Sequence, residues 1–218
     1  MASPLSSDKE FTETAYVVID FETTTPAGHR PEPIEVAALA LRPDGARMAE
    51  VFRHEALICP PAHAPVTAFD TRQTCITPQM VAGQPAAATA LAVLDARLVN
   101  PPYRLVAHHA PTEAGIIYDH RSSCPHLAAA PLLDTVRLAR AFYPDLPSHS
   151  LDALLDYLNI SRPAGRHRAM PDAEVTAALF TKLIHSGFTT GRWRTLHDLS
   201  AIAGVAAKAG QPLQEALF

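Results

Sequence analysis

Tyr16-Val17-Val18-Ile19-Asp20-Phe21-Glu22-Thr23-Thr24 is the stretch that decides the fold. An apolar run closes on two carboxylates with one residue between them, and two small hydroxyl residues follow. Side chains at i and i+2 of a strand project to the same face. Asp20 and Glu22 are therefore expected side by side at the end of a buried strand. Two like charges held that close call for a cation, although an Asp-x-Glu pair standing alone equally suits a solvated strand end. Partners elsewhere in the chain have to decide.

Outward from this strand, set at residues 15–21, Pro26, Gly28 and Pro31 mark a loop. Residues 34–41 are apolar enough for a strand buried on both faces, Pro43-Asp44-Gly45 reverses the chain, and residues 46–57 return as an antiparallel partner. The opening is a three-strand antiparallel meander. Residues 85–99 carry Leu91, Leu94 and Leu98 at helical spacing and stop at Asn100-Pro101-Pro102. Residues 103–107 form a short strand ending in His108-His109, and Pro111 opens a helix. A brief strand at 132–133 and helices at 135–142 and 150–158 follow, then a loop with Arg162, Arg166, His167 and Arg168, offered as a local positive patch. A long helix is expected over 171–185, a hinge-like break over 187–192 and a last helix over 193–208. Strands alternating with helices after a meander predict an α/β fold, a mixed sheet flanked by helices.

The chain of 218 residues, 48% hydrophobic and 18% charged, is long enough for a substantial core. Its formal charge of -4 excludes a global basic field, so a polyanionic ligand would need cations and a local patch. Cys59, Cys75 and Cys124 lack paired spacing and read as reduced thiols of a cytoplasmic protein. No apolar run approaches the ~20 residues of a membrane span, and the polar residues 1–14 are expected to be a flexible N-terminus.

A second cluster supplies the partners. His167-Arg168-Ala169-Met170-Pro171-Asp172 places an acid in the first turn of a helix and an imidazole on the loop before it. Three carboxylates offer oxygen ligands to hard divalent ions such as Mg²⁺ or Mn²⁺. Two such ions ~4 Å apart can clamp the attacking and leaving oxygens of an in-line phosphoryl transfer. Histidine, with an ordinary pKa of ~6.5, suits the proton of an attacking water.

The ordered set Val18-Ile19-Asp20-Phe21-Glu22-Thr23-Thr24, Val106-Ala107-His108-His109-Ala110, Leu133-Asp134-Thr135, Ser148-His149-Ser150-Leu151-Asp152-Ala153-Leu154 and His167-(four residues)-Asp172-Ala173 resembles the histidine branch of the DEDD 3′ to 5′ exonucleases. The pattern is similar to the proofreading epsilon subunit of bacterial DNA polymerase III. The resemblance covers roughly residues 15–186 and implies a ribonuclease H-like fold with a five-stranded mixed sheet. It divides the chain into the flexible N-terminus, an exonuclease domain over 15–187, and a C-terminal helix and tail over 188–218.

By the resemblance, Asp20, Glu22 and Asp172 bind two divalent cations, Mg²⁺ or Mn²⁺, and His167 is the general base. Phe21, Thr23 and His108 contact substrate. The family's middle motif usually reads His-Asn-Ala-x-Phe-Asp; here the aligned residues end at Glu113, one methylene longer than the usual metal-supporting aspartate. Thr25 stands where a glycine is usual.

Gln214-Glu215-Ala216-Leu217-Phe218 resembles the Gln-x-x-Leu-Phe peptide that docks bacterial replication proteins on a sliding clamp, with Gln214, Leu217 and Phe218 as contacts. The implied activity is metal-dependent 3′ to 5′ hydrolysis of single-stranded nucleic acid to 5′-mononucleotides, DNA favoured, with a sliding clamp or polymerase as partner. An exoribonuclease or oligonucleotide scavenger on the same fold, and a weakly active nucleic-acid- or clamp-binding module, remain open.

Overall fold

A computed structural model of the chain describes residues 7–45, 47–163, 165 and 167–208. Helix α1 (Lys9–Glu13) leads into the meander β1 (Ala15–Thr24), β2 (Glu32–Asp44) and β3 (Arg47–Leu57). Helices α2 (Ala68–Thr74), α3 (Pro78–Val81) and α4 (Ala87–Asp95) cross to β4 (Tyr103–Ala107). Then come α5 (Pro111–Asp119), α6 (Pro125–Ala129), β5 (Leu132–Asp134), α7 (Thr135–Phe142), α8 (Leu151–Tyr157), the long α9 (Ala169–Thr189), α10 (Leu196–Ala203) and β6 (Gly204–Val205). The sheet order is β3-β2-β1-β4-β5-β6. β4 runs parallel to β1 and to β5, and the remaining pairs are antiparallel.

The apolar run of β1 is continuous because both of its faces are covered. Tyr16 and Val18, with Ala37, Leu39 and Leu41 opposite them on β2, pack into a core shared with α7, α8, α9 and α10. Val17, Ile19 and Phe21, with Val36, Ala38 and Ala40, pack into the other core against α4, α5 and α6. Even-numbered residues of β1 thus face α9, and odd-numbered ones face α5. This two-sided burial in the centre of the sheet fixes the register in which Asp20 and Glu22 leave it.

The structure corrects the sequence reading in four places. First, the sheet has six strands: Gly204 and Val205 pair antiparallel with Leu133 and Leu132, a two-residue strand created by its neighbour and not by its own propensity. Second, residues 8–14 are folded. Asp8 caps α1 and also accepts a hydrogen bond from the Leu196 N–H at 2.6 Å, while Phe11 is buried against Tyr16.

Third, α9 runs unbroken through Gly187, which is no hinge. A Cβ at Gly187 would lie 1.9 Å from the Trp193 ring, so the missing side chain is what lets that ring pack. Trp193 is 1% exposed and donates its indole N–H to the Ile184 carbonyl at 3.2 Å. Fourth, the last helix starts only at Leu196, where Thr195 and Asp198 form a reciprocal capping box. The segment after residue 188, read as an appendage, contributes Trp193, Leu196, Leu199 and Ala203 to the same core as α9.

No helix among the described residues is long and apolar enough to cross a membrane.

Candidate metal centre

The carboxylates of Asp20 and Glu22 emerge on the α9 side of β1, as the alternation requires. A register irregularity sits between Glu22 and Thr23; such bulges twist a strand and re-aim its side chains. α9 brings Asp172, 8% exposed, to the same place from above the sheet. One ligand oxygen from each of Asp20, Glu22 and Asp172 lies within 4.8 Å of the others, the one such group of potential metal ligands among the described residues. Asp172 occupies the first turn of α9, where exposed N–H dipoles favour its charge by about 0.3 to 1 kcal/mol. Three anions this close remain mutually repulsive, and a divalent cation answers that repulsion best.

His167 stands on the exposed loop just before α9 with a left-handed backbone, φ 65°. Its N–H donates to Asp172 Oδ1 at 3.4 Å, so loop and helix are tied together at the carboxylate itself. Arg168, expected in the positive patch, is instead committed to Glu35. Its guanidinium donates from Nε to both Glu35 oxygens at 3.1 and 2.9 Å, and from Nη2 to Glu35 Oε1. Arg162 is likewise paired, with Asp156. Arg166 lies outside the described residues.

Glu113 is carried by a different helix. It sits in the first turn of α5, on the opposite face of the sheet from α9, and falls outside the group formed by Asp20, Glu22 and Asp172. The reason is topological: α5 packs against the odd-numbered side of β1. Glu113 is 6% exposed, and its Oε2 has no hydrogen-bond partner among the described residues. Burial pushes its carboxyl up to about 8, and the negative charge of Asp134 adds to the rise.

At 9% exposure the Phe21 ring belongs to the core under α5, because a residue between Asp20 and Glu22 must face away from them. Thr23 is half-buried at the irregularity in β1.

His108 lies two residues past Val106, which pairs with Val18, so it leaves the sheet beside Asp20. Its Nδ1 is 2.8 Å from Thr135 Oγ1, whose own hydroxyl donates to the Ala107 carbonyl. His108 also opens onto a cleft of about 490 Å³ lined by His109, Arg140, Ser148, His149 and Ser150. The Ser148-His149-Ser150 motif is visible in the sequence, but its meeting with Arg140 is not. Gln214, Leu217 and Phe218 lie outside the described residues.

A mixed sheet of this order, with an acidic cluster at the end of its central strand, matches the ribonuclease H-like architecture. Residues 17–180 match the RNase_T exonuclease family model, and the chain belongs to that family. It is 33% identical over 175 residues to the PolC-type DNA polymerase III of Clostridium perfringens. That alignment takes in 80% of this chain but 12% of the relative, so the chain spans about an eighth of the length of the polymerase it matches.

Among solved structures, the nuclease domain of 3′hExo, described as a DEDDh family member bound to rAMP, superposes with a TM-score of 0.68 at 16% identity, covering 84% of this chain and 96% of that one. Exonuclease X in complex with 5′ overhanging duplex DNA gives 0.61 at 23% identity, covering 86% and 98%. These structural likenesses carry the fold, and the family match places residues 17–180 among the RNase_T exonuclease domains.

Proposed function

We propose that the protein removes nucleotides one at a time from the 3′ end of a single strand, DNA in preference to RNA, and releases 5′-mononucleotides. The carrying observation is the three-carboxylate group of Asp20, Glu22 and Asp172 on two rigid elements. Oxygen-only donors in partly buried positions fit Mg²⁺ or Mn²⁺. When bound, the ions supply Lewis-acid stabilisation of the attacking and leaving oxygens.

His167, exposed at the mouth of the site and anchored through its own N–H to Asp172, takes the proton from the attacking water. Asp20, Glu22 and Asp172 would hold the ions that supply this stabilisation, with Glu113 supporting from the α5 side. Thr23 and His108, on neighbouring strand ends, contact the terminal nucleotide, while Phe21 supports it from below through its backbone. Similarity to polymerase chains favours DNA and a cytoplasmic role in replication or repair. In the same reading Gln214, Leu217 and Phe218 contact a sliding clamp.

The test is digestion of 5′-labelled single-stranded DNA and RNA with Mg²⁺ or Mn²⁺, wild type against Asp20→Ala. Stepwise shortening of DNA, lost in the variant, is the expected result. Faster loss of RNA would instead make the protein an exoribonuclease. Binding of the 3′ end without shortening in either metal would leave a binding module and end the enzymatic reading.

A further inference from the structure

Residues Glu22, Glu35 and Glu55 share one face of the sheet. Glu35 lies directly across from Glu22 in the β1–β2 register, and Glu55 lies across from Ala37, two residues along β2. Three glutamates on one patch would repel each other and any fourth carboxylate brought near. Arg168 lies over them, and Glu35, Glu55 and Glu22 all act on its guanidinium to hold the charge in place. Its fork grips Glu35, a side chain 1% exposed, and Glu35 Oε2 also accepts the Ala169 N–H at 2.9 Å. Arg168 itself offers no side-chain cap to α9, so Glu35 does the capping from another strand, 134 residues away from Ala169.

We infer that Glu35 and Arg168 form a latch that positions the first turn of α9 against β1, and thereby sets the spacing between Asp172 and the Asp20–Glu22 pair. Arg168 and Ala169 are the last loop residue and the first residue of α9, and Asp172 follows three residues later. Arg168 is also the neighbour of His167, whose left-handed backbone needs its surroundings to hold it. A second tie from Arg53 to Glu174 at 2.8 Å is exposed and joins the helix two residues past Asp172, whereas the latch, with Glu35 buried, acts at the turn that carries Asp172. Neither latch residue is offered as a metal ligand or a catalytic group; both act through Asp172 and His167. A displacement of ~1 Å in such a site can cost on the order of a hundredfold in rate.

This inference rests on the reading that Asp20, Glu22 and Asp172 bind divalent ions, and electrostatics gives it a discriminating sign. Removing the Arg168 cation from beside a cluster of anions should, by charge alone, tighten binding of a divalent cation. Losing a positioning residue should weaken it.

The experiment is Mn²⁺ titration by calorimetry, without substrate, on wild type, Arg168→Gln, Arg168→Lys, Glu35→Gln and the Glu35→Gln/Arg168→Gln double variant, with kcat, KM and melting temperature measured in parallel. The expected result is Mn²⁺ binding weakened at least tenfold in Arg168→Gln and in Glu35→Gln. The double variant should be no worse than the weaker single one, kcat should fall with little change in KM, and Arg168→Lys should recover only part because lysine lacks the fork.

Mn²⁺ binding equal to or tighter than wild type in Arg168→Gln overturns the latch, whatever the fall in melting temperature. If Glu35→Gln does not fold, Arg168→Gln decides alone by the same criterion. Wild type that binds Mn²⁺ but cleaves nothing, with variants that bind it more weakly, sinks the exonuclease reading and keeps the latch. Wild type that does not bind Mn²⁺ sinks both.

Discussion

Replacing Glu113 with glutamine in the metal-free protein should change how stability depends on pH, in a direction that burial dictates. The carboxyl is 6% exposed, its Oε2 has no hydrogen-bond partner among the described residues, and its pKa rises from an ordinary 4.5 to about 8, chiefly through burial. Between those two values the folded state keeps a proton that the unfolded chain releases, so stability falls as pH rises. The contribution is fully present below pH 4.5 and gone above pH 8.

Each pH unit is worth about 1.4 kcal/mol, which makes the whole span on the order of 5 kcal/mol. Glutamine cannot ionise and removes this slope. For a chain of this length that corresponds to a relative shift in melting temperature on the order of 10 °C between pH 5 and pH 8.5. Thermal unfolding in EDTA of wild type and Glu113→Gln across that range isolates the effect, because every other titrating group is common to both. The wild-type curve should fall away from the variant's as pH rises. Parallel curves would refute the argument and mean that water or a charge partner stabilises the Glu113 carboxylate.

Three further outcomes test the site and its support. Asp20→Asn should abolish both Mn²⁺ binding and hydrolysis; Mn²⁺ affinity retained in calorimetry would remove Asp20 from the metal group. His167→Gln should lower kcat by about 10² to 10⁴ and leave Mn²⁺ affinity unchanged in calorimetry, since the bond to Asp172 comes from the backbone. A kcat close to wild type would remove His167 from the chemistry. Gly187→Ala places a Cβ 1.9 Å from the Trp193 ring and should destabilise by about 3 kcal/mol or more, with a red-shifted emission from the chain's single tryptophan. Unchanged emission and melting temperature would show that the segment after α9 is not part of the core.

What the sequence disclosed and what it hid follow from the range of each interaction. The pairing of Asp20 with Glu22 was legible because strand alternation is local and strict, and the same rule explains why Phe21 faces the other core. Helices α4, α7 and α8 were legible from leucine spacing or from a stop at proline. β6 was not, because Gly204 and Val205 have no strand signal and gain one only from β5. Gly187 looked like a break because glycine usually is one; only the position of Trp193, six residues later, shows that the glycine serves packing. Arg168 looked free beside Arg162 and Arg166, and its partner Glu35 is 133 residues away. Motif alignment singled out Glu113, whereas its burial and the face on which α5 packs are tertiary facts.

The distribution of the site over the fold has its own consequence. Asp20 and Glu22 ride on a strand packed on both faces, and Asp172 on the first turn of a 21-residue helix whose body lies in one core. The groups that would hold metal are thus on elements that cannot shift without disturbing a core. His167, by contrast, stands on a loop. Metal affinity should therefore respond to changes that move β1 or α9, the Glu35–Arg168 latch first among them, whereas the rate of the chemical step should respond to changes confined to the loop. The same crowding of anions that opposes folding in the absence of metal makes the bound ion a contributor to stability, so metal occupancy and the rigidity of the first turn of α9 should rise together.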